Sequence, residues 1–278
     1  MADDKMSRMK QLVKELNEAS DAYYNGQSER MTDYEWDARF DELKRLEQET
    51  GTTLPNSPTQ KVSEDSITGQ KEEHEFAALS LAKTKQPEEL VKWSEGLPIW
   101  ISWKLDGLTL VVTYDNGVLT KVVTRGNGHI GTNITHLSKA INGIQQQIEY
   151  KGHTVIRGEA VISYDDFERF LMESGEDYAN PRNLASGSLT LKDVEEVRQR
   201  HIQWIPFTLV HIDDDITSWG DRMDWLEQQG FKTVERERVD LPDEHSVENV
   251  INAFTQKVTS KQKPFPVDGL VICYDDTD

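Results

Sequence analysis

An α+β fold is predicted by three features of this 278-residue chain. The first fifty residues carry an apolar stripe at helical spacing, the centre holds an Asn-Gly hairpin, and strand-like runs alternate with helical ones after it. The length suits one large core of about 200 residues with a small satellite, or two comparable domains.

In the first helix, Met6, Met9, Leu12, Val13, Leu16, Ala19 and Tyr23 recur every three to four residues and make one apolar face. A second helix is expected from Thr32, whose hydroxyl caps the backbone while Glu35 reaches back as a capping box. It places Trp36, Phe40, Leu43 and Leu46 on one face, and two helices this short need a partner surface. "GTTLPNSPTQKVSED" (51–65) opens a polar stretch without period that runs to about residue 75 and reads as a linker. Strand alternation follows from about 97 to 125. "LTLVVTYDNGVLTKVVTRG" is a hairpin around Asp115, Asn116 and Gly117, with Asn-Gly supplying the positive φ of a type I′ turn. Further strands are expected at 153–162, 202–210 and 266–274, and helices at about 164–173, 191–199, 217–229 and 246–258.

Fifty acidic residues against 31 basic ones give a net charge of −19, which works against sequence-blind attraction to nucleic acid or anionic membrane. The lone Cys273 cannot form an intrachain disulfide, and "MADDKMSRMK" lacks the apolar stretch of a secretory signal, so a reducing, cytoplasmic setting is expected. No window approaches the ~18 uninterrupted apolar residues that a spanning helix needs.

"SWKLDGLTLVV" (102–112) places two opposite charges, Lys104 and Asp106, on one face of a predicted strand, roughly 7 Å apart along the chain. Alone, the pair is also readable as an edge-strand ion pair worth about 0–1 kcal/mol. Glu159 is also readable as a capped turn, Arg125 and Arg182 as surface cations in Gly- or Asn-rich loops, and Tyr23, Tyr24 and Trp36 as helix core.

Five segments in order carry a more specific reading: "KLDGL" (104–108), "TRGNGHIGTNIT" (124–135), "IRGEAVI" (156–162), "ANPRNLASGSL" (179–189) and "VDGLVI" (267–272). With "YYNGQSERMTDYEWD" (23–37), "SPTQKV" (57–62) and "LSL" (79–81) at the front, the chain resembles the NAD-dependent DNA ligases over nearly all its length. The resemblance implies a small helical subdomain (1–62) that recognises nicotinamide mononucleotide. After it comes a nucleotidyltransferase (ATP-grasp-like ligase) domain (63–278), built on antiparallel sheets with flanking helices and lacking that domain's last lysine motif. The oligonucleotide-binding, zinc, helix-hairpin-helix and terminal interaction domains of such ligases are not expected in the chain.

By the same resemblance, Lys104 attacks the α-phosphorus of NAD, keeps AMP as a phosphoramidate and releases nicotinamide mononucleotide, with Asp106 as its companion. At a lysine's ordinary pKa of about 10.4, only roughly one in 2,500 is neutral at pH 7, a handicap of about 4.6 kcal/mol. Nearby cations favour the neutral amine, and Arg125, Arg182 and a Mg2+ ion held on the pyrophosphate are the candidates; no protein ligand set for a metal is expected. Glu159 is implied at the adenosine ribose and Phe207 as the adenine-stacking ring. Ser80 and Leu81 are implied at the adenylate pocket, and Tyr23, Tyr24, Asp33, Trp36 and Asp37 at the nicotinamide riboside. Three positions depart from the family: Ser102 stands where a glutamate reads the adenine amino group, Thr190 where a second arginine is usual, and Cys273 where a lysine is usual.

The expected partner is nicked duplex DNA in the context of a complete ligase, with weak DNA binding by this acidic chain, no membrane association, and a monomer. A rival reading is an impaired ligase-like domain that binds nucleotide or a partner. Another is a Rossmann dehydrogenase, suggested by "GNGHIG" (126–131) but opposed by the hairpin that precedes it.

Overall fold

The computed structural model describes residues 2–24, 31, 33–54, 57–59, 69–78, 81, 84, 86–126 and 128–277. Helices α1 (Ala2–Tyr24) and α2 (Asp33–Thr50) form a pair. Met9, Leu12, Val13 and Leu16 pack against Leu43 and Leu46, with Trp36, Phe40 and Leu54 at the margin. Arg8 holds Glu42 through two hydrogen bonds of 2.9 and 2.7 Å, and Arg39 meets Glu15 across the same seam. The helix stripes read from spacing are therefore the ones buried. Thr32, the expected cap, lies outside the described residues. No helix among the described residues is long and apolar enough to cross a membrane.

What reads as the tail of a linker is partly ordered: β1 (Lys71–Glu73) is followed by a strap running to Ala78. Helix α3 (Pro87–Ser94) follows, with Pro87 at its first turn beside Glu88 and Glu89. Next come β2 (Ile99–Leu105), β3 (Leu108–Asp115), β4 (Val118–Thr124) and β5 (Ile130–Thr132). Beyond them are β6 (Thr154–Val161), α4 (Tyr164–Ser174), α5 (Pro181–Leu189), α6 (Val194–Gln199) and β7 (Gln203–Ile212). The last elements are α7 (Trp219–Gln228), β8 (Arg236–Val239), α8 (Glu244–Thr259) and β9 (Val267–Tyr274).

Every strand pairing is antiparallel: β1 with β5, a three-stranded sheet ordered β8-β2-β9, and a four-stranded sheet ordered β4-β3-β6-β7. The β3–β4 turn is the expected hairpin, with Asn116 at φ 51° and Gly117 at φ 74°. Lys104 does not lie on an edge strand, because β2 is the middle of its sheet. β2 and β3, contiguous in sequence, belong to different sheets. The main core draws on both: Ile99, Ile101 and Trp103 from β2, Leu110, Val112 and Tyr114 from β3, and Ile156 and Ala160 from β6.

The opposite face of the four-stranded sheet is covered by the strap. Glu73, His74, Glu75 and Phe76 lie against Val111, Thr113, Val123 and Val155. His74 N–H donates to His129 O and Ala78 N–H to Gly128 O, each at 2.7 Å, and Phe76 stacks on His211. His153 ties the strap to the hairpin tip: its Nδ1 lies 2.6 Å from Asp115 Oδ1 and its Nε2 2.8 Å from Glu75 Oε2. A neutral imidazole has one N–H to give, so two carboxylates flanking both ring nitrogens select the imidazolium. Burial works against that charge, but the hydrogen bonds to Asp115 and Glu75 outweigh it and raise the His153 pKa above its ordinary value. Asp213, which accepts from His153 N–H at 2.7 Å and faces His211, completes the group. The folded pKa being the higher one, this contribution to stability is complete below about pH 6.5 and is lost as pH rises through the raised value. The difference in thermal midpoint between the wild type and His153→Asn is therefore expected to shrink from pH 6 to pH 8.5; a difference independent of pH would count against the linkage.

Candidate active site

Two residues, Asp106 and Gly107, carry the chain from the end of β2 to the start of β3 and so from one sheet to the other. Gly107 passes so close to β6 that a Cβ built there would lie 2.1 Å from Ala160 O and 2.9 Å from Val161 Cγ1. No side chain fits without backbone movement. The crossing is fastened at three points: Asp106 N–H donates to Pro266 O at 2.9 Å, Gly107 N–H to Glu159 Oε1 at 3.2 Å, and Thr109 Oγ1 to Glu159 Oε2 at 2.8 Å.

Lys104 projects from the last turnable position of β2, with its side chain 43% exposed. It does not pair with Asp106. Its Nζ donates to both oxygens of Asp268, at 2.7 and 2.6 Å, while Asp106 Oδ1 accepts from Arg182 Nη1 at 3.0 Å. Asp268 sits beside Gly269, the register partner of Lys104 on β9. The expected same-face pair is thus replaced by two crossed ion pairs, and Asp268 is a site residue that the sequence reading passed over although it lies inside "VDGLVI".

Arg182 lies in the first turn of α5, not in a loop: Asn180 caps the helix by accepting from Asn183 N–H at 2.8 Å, and Pro181 follows the cap. Burial pushes its guanidinium down to about 10, with Asp268 acting in the opposite sense. Glu159 is pushed up to about 8 by burial, against the favourable effects of the Thr109 hydroxyl, Lys104 and the Gly107 amide.

Arg125 follows β4 directly; its N–H donates to Thr109 O at 3.0 Å and its Nε to Ala78 O at 2.9 Å. Ser102 is buried two residues before Lys104 on the same strand face. Thr190 caps the end of α5, its hydroxyl donating to Gly187 O at 2.6 Å. Cys273 lies opposite Trp100, its thiol pushed up to about 12 by burial and Asp275, which suits the role of a small apolar residue. Phe207 is half-buried on β7 and packs against the core beside the Arg157–Gly158 bulge. Leu81 is exposed. Trp36 belongs to the helix pair, stacked on Phe40 at 4.8 Å with its indole N–H donating to Leu16 O. Ser80 and the side chains of Tyr23, Tyr24, Asp33 and Asp37 lie outside the described residues. The structure thus gathers Lys104, Asp106, Glu159 and Arg182, with Asp268 added, and sets Arg125 at the adjoining end of the sheet.

"GNGHIG" links antiparallel β4 and β5 with no helix after it, which removes the dinucleotide-binding β-α-β context. Among the described residues no group of three or more metal-ligating side chains gathers.

Two antiparallel sheets joined at a Lys-x-Asp-Gly crossing define a nucleotidyltransferase-type domain. Residues 69–278 match the model of the NAD-dependent DNA ligase adenylation domain, and residues 2–63 that of the DNA ligase-like, N-terminal NAD+-binding domain; the chain belongs to the NAD-dependent DNA ligase family. It is 38% identical to proteins named DNA ligase from Lachnoclostridium phytofermentans and Ruminiclostridium cellulolyticum, in each case over 98% of this chain and 42% of the relative. A DNA ligase from Leptospira biflexa is 33% identical over 99% of this chain and 41% of its own length. The chain therefore spans about two-fifths of the length of these relatives.

The crossing gives two expected outcomes. Gly107→Ala should lower stability by roughly 3 kcal/mol or more, because the obstructing atoms are backbone and cannot rotate away; a denaturant midpoint within error of the wild type would contradict the close packing. For Glu159 the folded pKa lies above the unfolded one, so its contribution makes stability fall as pH rises from about 4.5 toward 8. Glu159→Gln, which keeps an acceptor for Gly107 and a group for Thr109, should remove that part of the pH slope in denaturant titrations while leaving the fold intact.

Proposed function

We propose that this chain is the adenylation module of an NAD-dependent DNA ligase, with residues 1–62 recognising the nicotinamide mononucleotide half of NAD and residues 63–278 carrying out adenylyl transfer. The observation that carries the reading is a half-exposed lysine on a rigid central strand, held between Asp268 and the Asp106–Arg182 pair at the junction of two sheets. A nucleophile on a strand is kept in line better than one on a loop.

In the proposed step, Lys104 Nζ, having lost a proton, forms a bond to the α-phosphorus of NAD. The bond from that phosphorus to the bridging oxygen breaks, and nicotinamide mononucleotide leaves with the electron pair. Arg182 and Arg125 are placed to offset charge on the phosphoryl oxygens. Asp106 and Asp268 are the carboxylates that could share a Mg2+ ion with the substrate pyrophosphate; such an ion neutralises phosphate charge and usually takes only one or two carboxylates from the protein. Glu159, buried behind the crossing, keeps Lys104 and Asp106 in register and is the candidate for the ribose. Ser102 faces the same side as the nucleophile and is the candidate for the base edge, with Phe207, Ser80, Leu81 and Cys273 as candidates for the rest of the adenylate pocket. Tyr23, Tyr24, Asp33, Trp36 and Asp37 are the candidates for the nicotinamide riboside.

Nicked duplex DNA is the proposed substrate of the complete enzyme. A net charge of −19 supports weak DNA binding by this chain at physiological salt. A second reading, a ligase-like domain that binds nucleotide without transferring it, is motivated by Thr190 and Cys273, neither of which supplies a cation.

Incubation with NAD and Mg2+ followed by intact-mass measurement is expected to show a gain of one AMP that is absent in Lys104→Ala. A folded wild-type protein that binds NAD yet forms no adduct would establish the second reading. An adduct formed equally well from ATP would overturn the assignment of NAD as substrate.

A further inference from the structure

Arg157 lies on β6 two residues before Glu159, so both side chains project from the same face of the four-stranded sheet. That face is divided. One part, Val111, Thr113, Val123 and Val155, is covered by the strap; the other, with Thr109 and Glu159, adjoins Lys104. Arg157 stands at the boundary. Its Nη2 donates to two successive strap carbonyls, Phe76 O at 3.2 Å and Ala77 O at 2.8 Å, and Arg125 Nε takes the next one, Ala78 O, at 2.9 Å. Among the described residues Arg157 has no carboxylate partner, and its buried Nε finds no hydrogen-bond acceptor. Burial and the neighbouring Arg125 both work against its charge.

A half-buried guanidinium placed beside a second one, with carbonyl dipoles instead of a counter-ion, is a costly way to hold a loop. Three consecutive carbonyls pointing at two forks fix the backbone of residues 76–78 in position and orientation, which a flexible ammonium would do less well. The strap is also the segment that leads into Ser80 and Leu81. We infer that Arg157 is a positioning residue for the nucleotide site: it clamps the end of the strap against the sheet, and through Ala78 it fixes the fork of Arg125, the cation proposed to face the phosphates. This inference rests on the proposed function for what the site binds, but the clamp itself does not.

The test compares wild type, Arg157→Gln and Arg157→Lys in three measurements: backbone hydrogen exchange, NAD binding by calorimetry, and the rate of AMP adduct formation against NAD concentration. In Arg157→Gln the His74 and Ala78 amides, which donate to His129 and Gly128, should exchange faster while β3 and β6 amides do not. NAD affinity and apparent KM should weaken by about tenfold, the loss expected for charge-assisted hydrogen bonds to one segment, with the plateau rate within about threefold of wild type. Arg157→Lys should restore part of the affinity, and it decides the matter if Arg157→Gln does not fold. Unchanged strap exchange in either folded variant would overturn the clamp. A fall in plateau rate at constant KM would overturn the positioning role in favour of direct contact with the reacting phosphate. If the wild type forms no adduct, the proposed function fails, and exchange and calorimetry still decide for or against Arg157.

Discussion

The two-residue passage from β2 to β3 is the constraint on which the site depends. The chain leaves one sheet at Leu105 and enters another at Leu108, so Asp106 and Gly107 have to turn within van der Waals contact of β6. An amide left without an acceptor in such a bend would cost about 1–3 kcal/mol. Glu159 removes that cost by reaching from β6 to accept from Gly107 N–H and the Thr109 hydroxyl together. The carbonyl of Pro266 does the same for Asp106 from the other side. Lys104 is thereby fixed in relation to both sheets, since the strand that carries it is anchored just beyond its own position.

The charges around the crossing follow a different logic from the charge of the whole chain. Against a net −19 overall, the site sets Lys104 against Asp268 and Arg182 against Asp106, two cations and two anions in local balance. Pairs that are partly removed from water add little net stability, because desolvation offsets attraction. What they provide is exchangeable partners. A polyphosphate entering here would compete with Asp268 and Asp106 for the same ammonium and guanidinium, and the displaced carboxylates would then be free for a cation accompanying that polyphosphate. Arrangements of this kind cost little to rearrange, whereas the hydrogen bonds that hold the backbone stay in place.

Periodic and punctuated features were legible in the sequence: the helix stripes from Met9 to Leu16 and from Phe40 to Leu46, the Asn116-Gly117 turn, and the strands carrying Glu159 and Phe207. Elements of three or four residues, β1, β5 and β8, are too short to show a period, and their partners lie far off in sequence. The Asn180-Pro181 dipeptide reads as a turn, yet the same two residues begin α5 as cap and first helical position, which is why Arg182 moved from a loop to a helix. Asp268 was hidden for a topological reason. Its importance comes from β9 pairing with β2 so that Gly269 faces Lys104, and no local pattern announces that register. Arg157 looked like one of several alternating strand residues until the strap carbonyls were seen to converge on it.

The proton on Glu159 connects these observations. With its pKa pushed up to about 8, the carboxyl is largely neutral near pH 7, and burying it costs far less than burying a carboxylate. A neutral carboxyl can donate as well as accept, so it can still hold the Gly107 amide and the Thr109 hydroxyl. Lys104 acts against this state, since its positive charge favours the ionised form of Glu159. Two groups that interact in this way titrate as a pair. If the Lys104 amine loses its charge, as it does in the phosphoramidate proposed for it, one of the influences favouring the carboxylate disappears and Glu159 moves further toward its neutral form. The buried acid that secures the crossing is therefore also the group that responds electrostatically to what happens at the lysine, without any movement of the chain between them.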